Sequence, residues 1–110
     1  MVKEIAPGIF AFTEDDQQFI EWCHANCDGF IYNCRRNASR IFPYMLHAAI
    51  RKGDLCQHFR NRKRASGYEP PLTTGAICKV GSLQRSSLEQ WAKTERPGFA
   101  FRKCSSCLAL

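Results

Sequence analysis

Only two stretches of this chain carry the period of an amphipathic helix, residues 13–28 and 82–94, and short apolar runs with β character stand before, between and after them. Two helices do not cover both faces of a sheet well. The pattern therefore predicts an α+β fold, a small mixed or antiparallel sheet with the two helices packed on one face. The 110 residues suit a single domain, 1–110, and leave no room for a two-domain dinucleotide enzyme. An apolar fraction of 45% and a charged fraction of 24% are those of a globular chain. No apolar run nears the ~20 residues of a membrane span. The first dozen residues contain no signal-peptide core, so a cytoplasmic protein is expected.

Element by element, Gly8 to Phe12 reads as a strand. Thr13 is the expected N-cap of the first helix, with Asp16 in the capping-box position. Phe19, Ile20, Trp22 and Cys23 form its apolar face, Cys27 follows one turn on, and Asp28-Gly29 ends it, with Gly29 where positive φ is tolerated. Phe30 to Cys34 is the next strand. The run from Phe42 to Ile50 is apolar throughout, so periodicity does not choose between helix and strand; a strand over Tyr44 to Ala48 is preferred. Gly53-Asp54 is a turn, and residues 57–75 form a long irregular loop. Ala76 to Val80 is a strand. The second helix runs from Ser82 to Thr94 with Leu88, Trp91 and Ala92 inward, capped either by Ser86 with Glu89 or one turn earlier at Ser82. Pro97-Gly98 breaks it before a last strand over Phe99 to Lys103.

Charge is unevenly spread. Residues 1–34 hold one lysine and six acids, residues 35–64 hold nine lysines and arginines and one acid, and the whole chain carries +6. A basic segment of this density attracts polyanions, nucleic acid foremost. Arg35, Arg36, Asn37 and Arg40 follow a strand and suit phosphates or base edges. Arg60, Arg62, Lys63 and Arg64 suit a phosphate-binding arm, which gives affinity without sequence information. Tyr32, Tyr44 and Tyr68 lie near these bases; each is either a stacking platform for single-stranded bases or a buried core tyrosine.

Seven cysteines with no secretory signal fit a reducing compartment better than a disulfide scaffold. Cys104-x-x-Cys107 is the sharpest local motif, because two thiolates at this spacing grip one tetrahedral Zn2+ from a single turn. A structural zinc site built from Cys56, Cys104, Cys107 and either His47 or His58 would tie the chain's end to its basic middle. A redox-active pair and plain cysteines are the other readings of the same motif. Cys23 and Cys27 are explained by helix packing. No Gly-x-Ser-x-Gly, Walker loop or Gly-x-Gly-x-x-Gly is present, and the basic segment holds one carboxylate, Asp54, so no catalytic residue is assigned.

Asp28-Gly29-Phe30-Ile31-Tyr32-Asn33 after a helix, Tyr44-Met45-Leu46-His47-Ala48, and Thr74-Gly75-Ala76-Ile77-Cys78-Lys79-Val80 before a second helix, with the Cys104-x-x-Cys107 tail, together resemble a family of small bacterial and phage domains sometimes fused or adjacent to restriction-type nucleases. There a Leu-His-Arg-Ala-x-x-Cys-like segment pairs with a terminal Cys-x-x-Cys, and the resemblance implies that His47, Cys104 and Cys107 share one site. Ala48 stands where those relatives have Arg, and their following Cys is displaced to Cys56. The expected function is a basic nucleic-acid-binding module, zinc-stabilised. The rivals are a protein-interaction or inhibitor domain that meets an acidic protein, and a small nuclease or thiol enzyme.

Overall fold

The computed structural model describes residues 2–34, 44–56, 71–74, 77–98, 101–105 and 107–108. Its elements run β1 (Val2–Ala6), β2 (Ile9–Phe12), α1 (Asp16–Ala25), β3 (Phe30–Asn33), β4 (Tyr44–Ala48), β5 (Lys79–Ser82), α2 (Arg85–Glu95) and β6 (Phe101–Lys103). One six-stranded sheet has the order β1-β2-β5-β3-β4-β6. All neighbours are antiparallel except β4 and β6, which are parallel. The expected α+β class and the mixed sheet are both present.

The helices do not share a face. β2 and β3 both run antiparallel to β5, so they are parallel to each other and α1 is the crossover between them. β5 and β6 are parallel by the same reasoning, and α2 joins them. The two crossovers advance across the sheet in one direction along oppositely directed strands, and two right-handed crossovers of that kind must lie on opposite faces. The core agrees. Phe19 and Cys23 of α1 cluster with Phe12 and Ile31, whereas Leu88 and Ala92 of α2 cluster with Ile9, Tyr32, Leu46 and Val80. Ile31 and Tyr32 are consecutive on β3 and so point to opposite sides. Helix count alone does not reveal this, because it is strand direction that sets the side.

On the α1 face, Trp22 lies over Gly81, and Phe12 meets Phe19 and Trp22 at ring distances of 5.1 and 5.3 Å. Burying one such phenylalanine stabilises the fold by roughly 1.5–3 kcal/mol. α1 crosses between β2 and β3, so it leaves β4 and β6 uncovered on this face. Leu55, Cys56, Cys104 and Cys107 pack there instead, in the same apolar cluster as Phe19.

Local differences have local causes. β1 escapes sequence reading because Lys3 and Glu4 are exposed at the sheet's edge, which breaks the apolar alternation. Asp15, not Thr13, is the N-cap of α1, accepting from the Gln18 amide at 2.9 Å. Asp16 does not complete a capping box. Its carboxylate accepts from the Leu72 and Thr73 amides at 2.9 and 2.8 Å and from the Thr73 hydroxyl at 2.7 Å, so it fastens a distant segment to the helix start. α1 ends at Asn26, and Cys27 is exposed. Gly29 is required by space rather than by φ, since a Cβ would stand 3.0 Å from the Asn26 carbonyl oxygen and 3.1 Å from Trp22. α2 starts at Arg85 behind Gln84. Ser82 belongs to β5, and Glu89 pairs with Arg85 instead of Ser86. Lys79 is fully buried and its ammonium donates to the Asn33 side chain at 2.9 Å.

Two predictions follow from this packing. In Gly81→Ala the new methyl would stand 2.7 Å from Ile31 Cδ1 and 3.1 Å from the Trp22 ring, which Phe12 holds in place. Chemical denaturation should show a loss of about 1–3 kcal/mol, and an unchanged midpoint would contradict the packing. Burial pushes the Asp16 carboxyl up, but the Thr73 hydroxyl, the Leu72 and Thr73 amides and the Lys79 ammonium together hold it below its ordinary value. Its stabilisation is therefore whole at neutral pH and drains away as pH falls through the lowered value. Asp16→Asn should cost stability at neutral pH and little at pH ~2; an equal cost at both would show that the charged form is not what clamps Thr73.

Candidate metal centre

Strand alternation aims Tyr44 and Leu46 of β4 at the α2 face, and Met45 and His47 at the face α1 leaves bare. His47 is fully buried there. Beyond β4, the Ala49 amide donates to the Gly29 carbonyl at 2.9 Å. Arg51 and Asp54 then exchange backbone bonds of 2.8 and 3.1 Å around Lys52 and Gly53, both with positive φ (52° and 83°). Such a two-residue turn reverses the chain tightly. It returns Leu55 and Cys56 under the sheet beside His47, with both side chains buried.

The other half comes from the end of the chain. β6 lies parallel to β4, and the Cys104 amide extends that ladder by donating to the Leu46 carbonyl at 2.8 Å. The Leu108 amide donates back to the Cys104 carbonyl at 3.0 Å. That single turn folds Cys107 over the end of β4, where its sulfur accepts from the Ala48 amide at 3.3 Å.

The outcome is four donors at one point. Cys56 and Cys104 sulfurs are 3.8 Å apart, Cys107 Sγ is 3.5 Å from His47 Nδ1, and all four ligand atoms lie within 4.8 Å of one another. Burial pushes the Cys107 thiol up to about 12; the Cys56 and Cys104 thiols beside it add to this, while the Ala48 amide opposes it. A cation at the centre reverses that logic, because a coordinating thiol gives up its proton. The four side chains therefore form a buried cluster able to hold a metal ion, and the Ala48 amide directed at Cys107 is the kind of outer hydrogen bond that orients a ligand.

Among the described residues, Cys56, Cys104, Cys107 and His47 meet here. His58 lies outside the described residues, as do Arg35, Arg36, Asn37, Arg40, Arg60, Arg62, Lys63, Arg64 and Tyr68. Tyr32 and Tyr44 are buried against each other and Phe101 and do not offer stacking faces; Arg96 donates to the Tyr44 hydroxyl at 3.2 Å. Cys23 is buried in the α1 core, with its thiol pushed up to about 12 by burial alone. Sequence reading missed the Ala48 amide, since a backbone donor leaves no mark in residue identity. No helix among the described residues is long and apolar enough to cross a membrane. No protein family, curated protein or solved structure matches this chain.

A metal ion bound a thousandfold above its dissociation constant would add about 4 kcal/mol to the folded state. For a domain of this size that is a shift on the order of 20 °C in Tm. A strong chelator under reducing conditions should therefore lower the Tm of the wild type and of Cys27→Ser by this order. Cys107→Ser should start lower and respond little. A wild-type melting curve indifferent to complete metal removal would contradict the site.

Proposed function

We propose that this chain is a small zinc-stabilised module that binds nucleic acid, mostly through phosphates, with the basic segment 35–64. The observation that carries the zinc is the spacing of the donors. Tetrahedral zinc with Zn–S of ~2.3 Å and Zn–N of ~2.0 Å sets its ligand atoms ~3.8 Å apart for sulfur pairs and ~3.5 Å apart for a nitrogen and a sulfur. The cluster has a sulfur pair at 3.8 Å and a nitrogen–sulfur pair at 3.5 Å. A redox pair needs two thiols; a third thiol and a buried imidazole at the same point favour a closed structural site. No disulfide joins any of the seven cysteines, which suits the reducing cytoplasm.

Nucleic acid is favoured by the nine bases of residues 35–64. The described residues that flank 35–43 and 57–70 are anchored. Residues 35–43 run between buried Cys34 and buried Tyr44. Residues 57–70 leave from Cys56, a zinc ligand in this reading, and return to Leu72 and Thr73, which Asp16 holds. Exposed Lys52 sits on the turn between His47 and Cys56. Zinc in this reading is structural and takes no part in chemistry. The resemblance to domains adjacent to restriction-type nucleases points to the same class of partner.

The test is binding of a generic oligonucleotide at several salt concentrations. Changing Arg60, Arg62, Lys63 and Arg64 together to Ala should weaken binding and lower the slope of log K against log salt by about three to four. An unchanged slope would remove the arm. Failure of any oligonucleotide to bind at low salt would overturn the reading and favour an acidic protein partner.

A further inference from the structure

On the face opposite the zinc cluster, a cavity of about 220 Å³ opens between α2 and strands β3, β4 and β6, lined by Tyr32, Phe101, Arg85, Glu89, Arg102 and Lys103. Pockets for drug-sized ligands start near 300 Å³, so this one suits one ring or one phosphate group with its sugar. Arg85 and Lys103 bring two cations to it, and its one carboxylate is already engaged: Glu89 accepts from Arg85 Nε at 2.7 Å. That contact holds the guanidinium by one edge and leaves its terminal nitrogens as the fork that takes phosphate oxygens.

Phe101 gives the cavity its second property. It belongs to an aromatic trio, 5.9 Å from Tyr32 and 5.6 Å from Tyr44, whose other two members are buried. Phe101 is only half-buried and lines the cavity, with the two tyrosine rings behind it. Lys103 is two residues further along β6, hence on the same face, and is exposed. An aromatic plane with cations beside it is the usual seat for an unpaired base and its phosphate. A duplex hides its bases in the stack and cannot use such a plane.

We infer that this cavity seats one nucleotide of a single strand, the base on Phe101 and the phosphate between Arg85 and Lys103. The inference rests on the nucleic-acid reading and adds to it a strand preference and a second set of contact residues, outside the 35–64 segment.

The experiment is a titration of the isotope-labelled full chain at low salt, read by amide NMR shifts, with a short oligothymidylate and with a fully paired hairpin of equal charge. The expected result is that the oligothymidylate moves the Arg85, Phe101, Arg102 and Lys103 amides and the hairpin does not. Phe101→Leu, which keeps apolar bulk in the trio, should weaken the oligothymidylate roughly tenfold. Lys103→Glu, at an exposed site, should lower the salt slope by about 0.7 or more. If the oligothymidylate binds but these amides stay still, or both variants bind as the wild type does, the inference fails and the basic-arm reading survives. If the hairpin moves the same amides equally, stacking on Phe101 is overturned. If neither probe binds, both readings fall together.

Discussion

The structure depends on how the half of the sheet that no helix among the described residues reaches is closed. A six-stranded sheet needs cover on both faces, and this chain has one crossover helix for each. α1 shields the span from β2 to β3, so β4 and β6 would face water on that side. The chain fills the gap with short irregular segments, Ala49 to Cys56 and Cys104 to Leu108. Segments of that kind bury little apolar surface for the backbone they order. Three thiols and an imidazole meeting in the gap allow a metal ion to supply what a helix would have supplied, and metal-binding free energy of this sort is folding free energy.

The same argument explains why β6 runs parallel to β4 at the edge of the sheet. A parallel strand cannot be reached by a tight turn, so the chain must cross the sheet first, and α2 is that crossing. On arriving, β6 does two things at once. Its end delivers Cys104 and Cys107 to the α1 face, and its alternate residues Phe101 and Lys103 face α2 beside Tyr32 and Arg85. Three residues of strand therefore border the His/Cys cluster on one side and the cationic cavity on the other, so loosening the cluster also removes support from the cavity.

The ligand set was legible because it is written in residue identity. Cys-x-x-Cys places two thiols on one turn wherever it occurs, and a histidine at an inward position of an apolar strand is brought to the sheet face by alternation. His47 stands in the cluster because alternation along β4 aims it at the face α1 leaves bare, and that face is known only from the fold. The α+β class was legible from two helical periods among short apolar runs. The placement of the helices was not, since it follows from strand directions set by long-range pairing. The N-cap of α1 and the fastening of Thr73 by Asp16 were likewise hidden: four acidic and polar residues in a row, Thr13 to Asp16, all suit a helix start, and the choice among them is made by a segment more than fifty residues away. The full burial of Lys79, whose ammonium donates to Asn33 on the neighbouring strand, has no mark in the sequence either.

The account stands or falls on whether the cluster holds a metal. Native mass spectrometry with elemental analysis, on protein purified under reducing conditions, reads this directly. The account predicts one zinc ion per chain, retained in the native spectrum and released when acid protonates the ligands. A metal-free chain whose native mass is that of the polypeptide alone, with all seven thiols titrating and the fold intact, would contradict it.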